Sequence, residues 1–522
     1  MSEENKVVAN DGGQELKRGI KGWQVAFIGL GGVIGSCYFL GVGWCIQIMG
    51  PSVFFAFLVV GVIVFGLMIA YAELLVNVPR EGSFVAYTNE FLGPTLSVGM
   101  GWSFWFNWVC YCPSEAIAVS YALQALTGNT SPVAYVAFAV GTMLALTIIN
   151  CCAVDIFAKI ESGLAITKVC VIILFILLAF GIWIGLWGNP DGTLTTVSNE
   201  AVKDGFLGMS VNFGSGVGIY GDMFPNGFAI VVVMMVVVLV TFQGTEIVGL
   251  AAAESQNPDE SVPKACRSVT YRIVLLYLLP ILLVLLVYPT SLATDERPVF
   301  ADIMAAYGLT PFFYIFLAVV LVAAFSCANT GFYGTVRCMY GLSIEGLAPK
   351  FLSRLSKQQA PRNAVLFTLA FMWVVLVIGL ISELTGFLAN LYGSLLSMSG
   401  FTGTLAWVGI ILSQKRFRSR LKQRGYDPET CLKARVKPGL SWVPWFAMIA
   451  QLICLIMLAF GDIIDPSGDA GGGIVIFSIA TSAVVIPMIV YWIQRKRGVV
   501  SAVRTLKPGE KSFDELFPPL NK

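Results

Sequence analysis

Three ionisable residues stand inside long apolar stretches of this chain. They are Lys168 in Ala165-Ile166-Thr167-Lys168-Val169-Cys170, Glu115 in Pro113-Ser114-Glu115-Ala116-Ile117, and Glu246 in Thr241-Phe242-Gln243-Gly244-Thr245-Glu246. A charge at the centre of a hydrocarbon layer costs about 2.5–3.5 kcal/mol on insertion scales, so a group at that depth marks a functional site by default. The chemistry open to these three is proton binding and ion pairing. Burial disfavours the charged form of a lysine, which makes Lys168 a candidate proton carrier. The chain has no His, so the usual general base and the commonest metal ligand are both missing. Its 12 Cys lie mostly in apolar runs and form no CxxC pair. Such Cys act as small hydrophobes, and no metal, cofactor or disulfide framework is expected.

Two glycine-interrupted segments accompany these groups. One runs from Gly29 through Gly31, Gly32, Gly35, Ser36, Cys37 and Gly41 to Gly43, and the other surrounds Gly244. A helix unwound inside a membrane leaves N–H and C=O groups that each cost several kcal/mol unless something satisfies them. A zwitterion does so: its carboxylate suits the exposed N–H groups of a half-helix N-terminus, and its ammonium suits the freed carbonyls. The plainer alternative is that these glycines only let helices approach closely. Paired breaks at matching places in two halves of a chain favour a binding site.

The elements that position these residues follow from composition. Of 522 residues, 57% are hydrophobic and 12% charged, against roughly 25% charged in soluble domains. The apolar residues gather in runs of about 20 without period-two alternation, which suits membrane helices and not a β-barrel. Twelve spans are expected, at 22–48, 52–76, 96–127, 132–152, 160–187, 226–254, 268–289, 311–344, 363–382, 386–412, 441–460 and 472–493. Gly50-Pro51, Gly93-Pro94, Asn189-Pro190, Asn257-Pro258 and Thr310-Pro311 read as turns or helix starts. Spans one to five and six to ten form two successive sets, with a break in the first span of each.

Charge fixes an orientation. All but four of the 33 Lys and Arg fall in segments that face one side when both termini share it; Lys203 and Arg297 lie opposite, and Lys168 and Arg337 lie within spans. The positive-inside rule makes that side the cytoplasm. The chain then divides into a cytoplasmic tail (1–21), a first five-helix set (22–187), an external loop (188–225), a second set (226–412), a basic cytoplasmic loop (413–440), two further helices (441–493) and a C-terminal tail (494–522). The external loop reads equally as a cap on an outer vestibule and as an ordinary surface loop. The start of the chain is polar through Lys21, so the first span itself is expected to direct insertion.

At these residues the sequence resembles the amino acid permease family of the amino acid–polyamine–organocation superfamily. The glycine-rich segment Gly29–Gly43, the stretch Glu73–Gly99 with Pro79-Arg80-Glu81-Gly82-Ser83-Phe84, and Ala360-Pro361-Arg362-Asn363 all carry the likeness. The most specific blocks are FQGTEIVGLAAAESQNPDESVPK at 242–264 and CANTGFYGTVRCMYGLSIEGLAPK at 327–350. Gly101–Trp108 and Ser399–Gly409 look most like the lysine-specific members. The resemblance implies an all-α integral membrane protein with a 5+5 inverted repeat like that of the leucine transporter, broken helices 1 and 6, and two extra helices. It implies proton-coupled uptake of an amino acid across the inner cell membrane. The family usually has Gly-Thr-Gly or Gly-Ser-Gly where this chain has Gly35-Ser36-Cys37, so Cys37 narrows the approach to the backbone.

The residues expected to hold substrate are therefore Ile34, Gly35, Ser36, Cys37, Phe242 as a lid, Gly244, Thr245 and Asn329, with Thr330 beside it. Those expected to serve proton coupling are Lys168, Glu246 and Glu115. In proton-coupled relatives a lysine at the position of Lys168 takes the place of a sodium ion. Its other reading is a tether to a carbonyl of the first helix. Glu246 reads as a partner for a cationic substrate, a proton relay or a brace for the broken helix. Relatives that carry aromatic amino acids often have a carboxylate near the position of Glu115. Glu73 and Glu254 lie near cytoplasmic ends and read as structural. Trp102, Trp105 and Trp108 share one helical face, suited to packing or an interfacial belt.

The expected partners are an amino acid, protons and the lipid bilayer, with no nucleic acid. An exchanger of neutral or aromatic amino acids is the alternative, and a membrane amino acid sensor a further one. No nucleophile–base pair can include His and no phosphate-binding loop appears, so an enzyme is not expected.

Overall fold

The computed structural model describes residues 32–80, 84–152, 157–188, 212, 218–247, 249, 273–294, 296–356, 361–387, 390–465, 473–498 and 511–520. Gly29, Gly31, Gly82, Ser83, Asn189-Pro190, Lys203, Glu254, Asn257-Pro258 and most of the block at 242–264 lie outside the described residues, as do the whole segment 1–31 and most of 188–225. Helices and short turns make up the described chain, and no strand occurs among the described residues.

Among the described residues, fourteen α-helices of eight or more residues carry the architecture. They are α1 (Val42–Met49), α2 (Val53–Asn77), α3 (Phe84–Leu92), α4 (Pro94–Thr127), α5 (Pro132–Cys152), α6 (Phe157–Trp183), α7 (Phe228–Val240), α8 (Leu279–Val287), α9 (Val299–Ala306), α10 (Thr310–Ile344), α11 (Arg362–Leu384), α12 (Leu391–Gln423), α13 (Val443–Leu458) and α14 (Ile474–Lys496). Two wider π-type turns, Cys37–Gly41 and Ile273–Leu278, lead into α1 and α8.

The junctions follow local rules. Gly50 takes φ +61° and ends α1; Pro51 then opens the short turn Gly50–Ser52 that hands the chain to α2. Gly93 takes φ +95° and Pro94 stands at the first position of α4, where its missing N–H costs nothing. Asn390 caps α12 by accepting from the Gly393 N–H at 2.7 Å.

Nine helical stretches among the described residues are long and apolar enough to cross a membrane. Cys37–Asn77 counts as one of these although Gly50 bends it, so it spans two of the expected crossings. α4 is 34 residues long but carries several Ser, Trp and Tyr, and the run Val274–Val287 around α8 is short.

Burial separates the helices into layers. In the most apolar 18-residue window of α12, 89% of positions are buried, against 17% in that of α14. α12 therefore runs through the centre and α14 along the rim. α4 lies between α10 and α12, and α7 packs on α12, α1 and α13. The rim helices α11, α13 and α14 expose Ile378, Ile381, Ile453, Ile456, Ile486 and Ile489. That pattern is inverted relative to a water-soluble protein and suits contact with lipid. Small residues bring the inner helices close: Gly400 of α12 sits against the backbone carbonyl of Val236 in α7.

Candidate substrate and proton site

The two glycine breaks meet at the centre of this bundle. α7 ends at Val240, and Thr241 to Glu246 follow as turns before helix resumes at Ile247. Gly244 holds φ +101°, a conformation that side chains disfavour, and a Cβ there would strike the carbonyl oxygen of Gly32. Glycine is thus required twice over: for the turn and for the contact between the breaks. Residues 32–35 form the other break, before the turn Cys37–Gly41.

Each break has a backbone N–H bound by a buried carboxylate. The Ser36 N–H donates to both oxygens of Glu115, at 3.1 and 3.0 Å. The Gly244 N–H donates to both oxygens of Glu246, at 3.2 and 3.0 Å. The Trp407 indole of α12 adds a third hydrogen bond to Glu246, at 3.0 Å. Glu115 and Glu246 are both almost fully buried, so these donors replace water that the interior excludes.

The surroundings of Glu115 come from several helices. A Cβ on Gly35 would meet the Glu115 carboxylate, the Tyr111 hydroxyl and the Cys327 thiol. Tyr111 and the Ser36 side chain are hydrogen-bond partners of Glu115, and Lys168 of α6 acts on it through its charge. Lys168 has no exposed surface. The Cys327 thiol of α10 donates to the freed carbonyl of Gly32 at 3.1 Å. The Ser36 hydroxyl lies 3.2 Å from the hydroxyl of Tyr392 on α12. Cys37 points its thiol toward the Val237 carbonyl, 3.9 Å away.

Ile34, Gly35, Ser36, Cys37, Phe242, Gly244, Thr245, Lys168, Glu115 and Glu246 are all buried. Thr245 turns its hydroxyl back to the Phe242 carbonyl at 3.1 Å. Phe242 stacks on Tyr277 at 4.3 Å between ring centres, with Phe57 and Tyr38 completing an aromatic cluster. The Tyr277 hydroxyl in turn donates to the Thr241 carbonyl at 3.1 Å, bracing the break. Asn329 and Thr330 are buried, and their side-chain oxygens Asn329 Oδ1 and Thr330 Oγ1 have no hydrogen-bond partner.

Other expected residues have structural surroundings. Glu73 accepts from Arg418 at both oxygens, each at 2.7 Å, and from Gln414 and the Val436 N–H. Trp105 and Trp108 are buried, with the Trp105 indole donating to Thr368 of α11 at 3.0 Å. Trp108 lies where a Cβ on Gly331 would fall. The tryptophan face therefore packs against α10 and α11.

Sequence reasoning missed Tyr111, Tyr392, Cys327, Trp407 and a polar chain from Asn107 through Ser399 to Gln243. The Ser399 hydroxyl donates to Asn107 at 2.5 Å and lies 3.2 Å from the Gln243 side-chain oxygen. Asn107, Gln243, Cys327, Ser399 and Trp407 lie in segments already singled out by resemblance, and polar residues in those segments were the available signal. Tyr111 and Tyr392 carried none.

The family model described as amino acid permease matches residues 24–501. The chain is 32% identical over 469 residues to the lysine-specific permease LysP of Lactococcus lactis subsp. cremoris, covering 87% of this chain and 84% of that protein. It is 30% identical to the aromatic amino acid transport protein AroP of Escherichia coli K12, over 85% of this chain and 91% of that one. It is 28% identical to the amino-acid permease RocE of Bacillus subtilis, over 86% and 91%. With its apolar helices and this match over nearly its whole length, the chain is a multi-pass membrane protein of the amino acid permease family, a family of transporters and not of enzymes.

Proposed function

We propose that this chain is a secondary active importer that carries a cationic amino acid such as lysine together with protons, by alternating access. The observation that carries the reading is the meeting of the two breaks, where the N–H groups of Ser36 and Gly244 face anionic groups and Lys168 stands beside one of them. Backbone groups so placed suit the carboxylate and ammonium that all amino acids share. Ile34, Gly35, Ser36, Cys37, Phe242, Gly244, Thr245 and Asn329 are proposed to surround the substrate, and Lys168, Glu246 and Glu115 to couple its movement to protons. The lysine-specific name of a relative supports the choice of lysine.

In this reading the chain crosses the inner membrane twelve times with both termini in the cytoplasm. Helix sets 22–187 and 226–412 form an inverted repeat, and 441–493 add two helices. The nine apolar stretches support twelve crossings once the bend at Gly50, the polar α4 and the short α8 region are each counted. A unit charge falling through ~100 mV gains about 2.3 kcal/mol, enough for roughly 40-fold accumulation of a neutral substrate per proton. A cationic substrate gains a further share from its own charge.

Uptake of radiolabelled lysine into proteoliposomes, with each of the twenty amino acids as competitor at pH 5.5 and 7.5, tests the assignment. Acid-stimulated uptake blocked by lysine and arginine supports it. Exchange without dependence on an imposed pH gradient overturns the coupling. Gly35→Leu tests the site itself: its Cβ alone would collide with Glu115 and Tyr111, and binding at wild-type affinity overturns the broken-helix site.

A further inference from the structure

The position that a ligand carboxylate needs at the first break is already filled by the chain. Both Glu115 oxygens accept from the Ser36 N–H. One of them lies so close to Gly35 that a Cβ there would collide with it. An N–H shared between two oxygens of one carboxylate has nothing left for a second, and the flank at Gly35 leaves no space for both. A carboxylate held at a half-helix N-terminus by backbone N–H and hydroxyl donors has the geometry of a bound anion. Here the anion is a side chain of α4.

We propose that Glu115 is an internal stand-in for the substrate carboxylate, which a ligand must displace from Ser36 in order to bind. The inference rests on the broken-helix reading above and adds the order of events within that site. While Glu115 holds Ser36, the break is satisfied and the empty site stable. When a ligand carboxylate takes the Ser36 N–H, Glu115 loses that backbone donor while still buried and keeps Tyr111 beside it. A buried carboxylate that has lost a donor and gained a second anion beside it is costly, so the displaced Glu115 takes one proton from solution and becomes a neutral carboxylic acid. No covalent bond between heavy atoms changes, and the O–H bond formed balances the proton consumed.

The groups facing Glu115 agree with this exchange. They are Tyr111 and Cys112 on its own helix, Cys37 beside the break, Cys327 on α10, Tyr392 on α12 and Lys168 on α6. Lys168 is the one formal cation among these six. It opposes one carboxylate at a time: Glu115 in the empty site, the ligand in the filled one. A second anion in contact with the first repels it strongly in a medium of low effective dielectric, and removal of one charge by protonation relieves this. By linkage, protons that favour the ligand are taken up when the ligand binds. Glu115 is thus a positioning residue for the substrate carboxylate and a point where proton and substrate meet.

The experiment uses purified full-length protein in detergent with lysine, arginine and phenylalanine as probes. Binding is measured from pH 5.5 to 8.0, and proton uptake on binding is read with an indicator dye in weak buffer. The wild type is expected to bind several-fold more tightly at pH 5.5 than at 8.0 and to take up most nearly one proton per ligand at pH 8.0 and fewer at pH 5.5. Glu115→Gln keeps the shape and an oxygen acceptor without the charge. It is expected to bind at pH 8.0 as tightly as the wild type at pH 5.5, with no proton uptake and a flat pH profile. Lysinamide, which lacks the carboxylate, is expected to gain nothing from Glu115→Gln.

Binding by Glu115→Gln more than tenfold weaker at every pH makes Glu115 a ligand for the ammonium or a scaffold, and overturns the proposal. Wild-type binding without proton uptake overturns it too, with no variant needed. Gly35→Leu separates the two levels of the argument. If it binds like the wild type, the broken-helix site fails and this inference fails with it. If it abolishes binding while Glu115→Gln leaves the pH profile unchanged, only the inference fails.

Discussion

The carbonyl oxygen of Gly32 lies where a Cβ on Gly244 would fall, so the two helix breaks of this transporter touch backbone to backbone. This contact joins the halves of the chain at the depth where the ionisable groups lie. Gly244 does not tolerate a side chain without moving the other break.

Gly244→Ala follows directly from that contact. The residue would need φ +101° with a Cβ pressed on a carbonyl. The backbone strain alone is about 1–2 kcal/mol, and the collision adds to it. Uptake in proteoliposomes is expected to fall at least tenfold, with a lower melting temperature. Near-normal transport by this variant would mean that the breaks separate during the cycle and that their contact is dispensable.

Lys168→Ala addresses coupling. Lys168 is buried and acts on Glu115 through its charge. Uptake driven by a pH gradient is expected to vanish, while counterflow between identical internal and external substrate persists. Undiminished acid-stimulated uptake removes Lys168 from the coupling role.

Arg418→Ala breaks a largely buried ion pair near the C-terminal end of α12. Glu73 would keep its Gln414 and Val436 donors but lose both bonds to the guanidinium. Removing one partner of a buried pair costs about 3–5 kcal/mol. A marked drop in melting temperature is expected, partly recovered in the double variant Glu73→Gln/Arg418→Ala, where the buried Glu73 charge is removed and only the more exposed Glu429 loses its Arg418 partner. Equal stability of the single and double variants would show the pair to be uncoupled.

Asp302 gives a pH dependence outside the membrane helices. It sits on α9, buried beside Tyr288, with one oxygen lacking a hydrogen-bond partner. Burial pushes its carboxyl up to about 6, against an opposing pull from the Arg297 guanidinium at 3.5 Å. A raised carboxyl is easiest to fold around when protonated. That contribution is full below pH 4 and is lost as pH rises through 6. Asp302→Asn is therefore expected to melt at a higher temperature than the wild type at pH 8, by an amount on the order of 1–3 kcal/mol. The two should converge near pH 4. A difference that stays constant across this range would assign the effect to packing.

The sequence by itself determined the membrane class, the family and the places of the breaks. Runs of about 20 apolar residues leave helices as the structure hydrocarbon accepts, because only there are backbone groups satisfied within the segment. Glycine at 35 and 244 was legible as a break because its missing side chain is a local property. The isolation of Lys168, Glu115 and Glu246 within apolar runs was legible for the same reason.

What the tertiary structure decided was which groups meet. Glu115 is 79 residues from Ser36 along the chain, and Trp407 is 161 from Glu246. Their pairing depends on how α4 and α12 rotate and slide against the breaks, which no local pattern encodes. The carboxylate at the first break therefore became visible as the partner of the Ser36 N–H only when the helices were packed. The side chain that the site prefers is set by the same packing, since the breaks themselves offer only backbone.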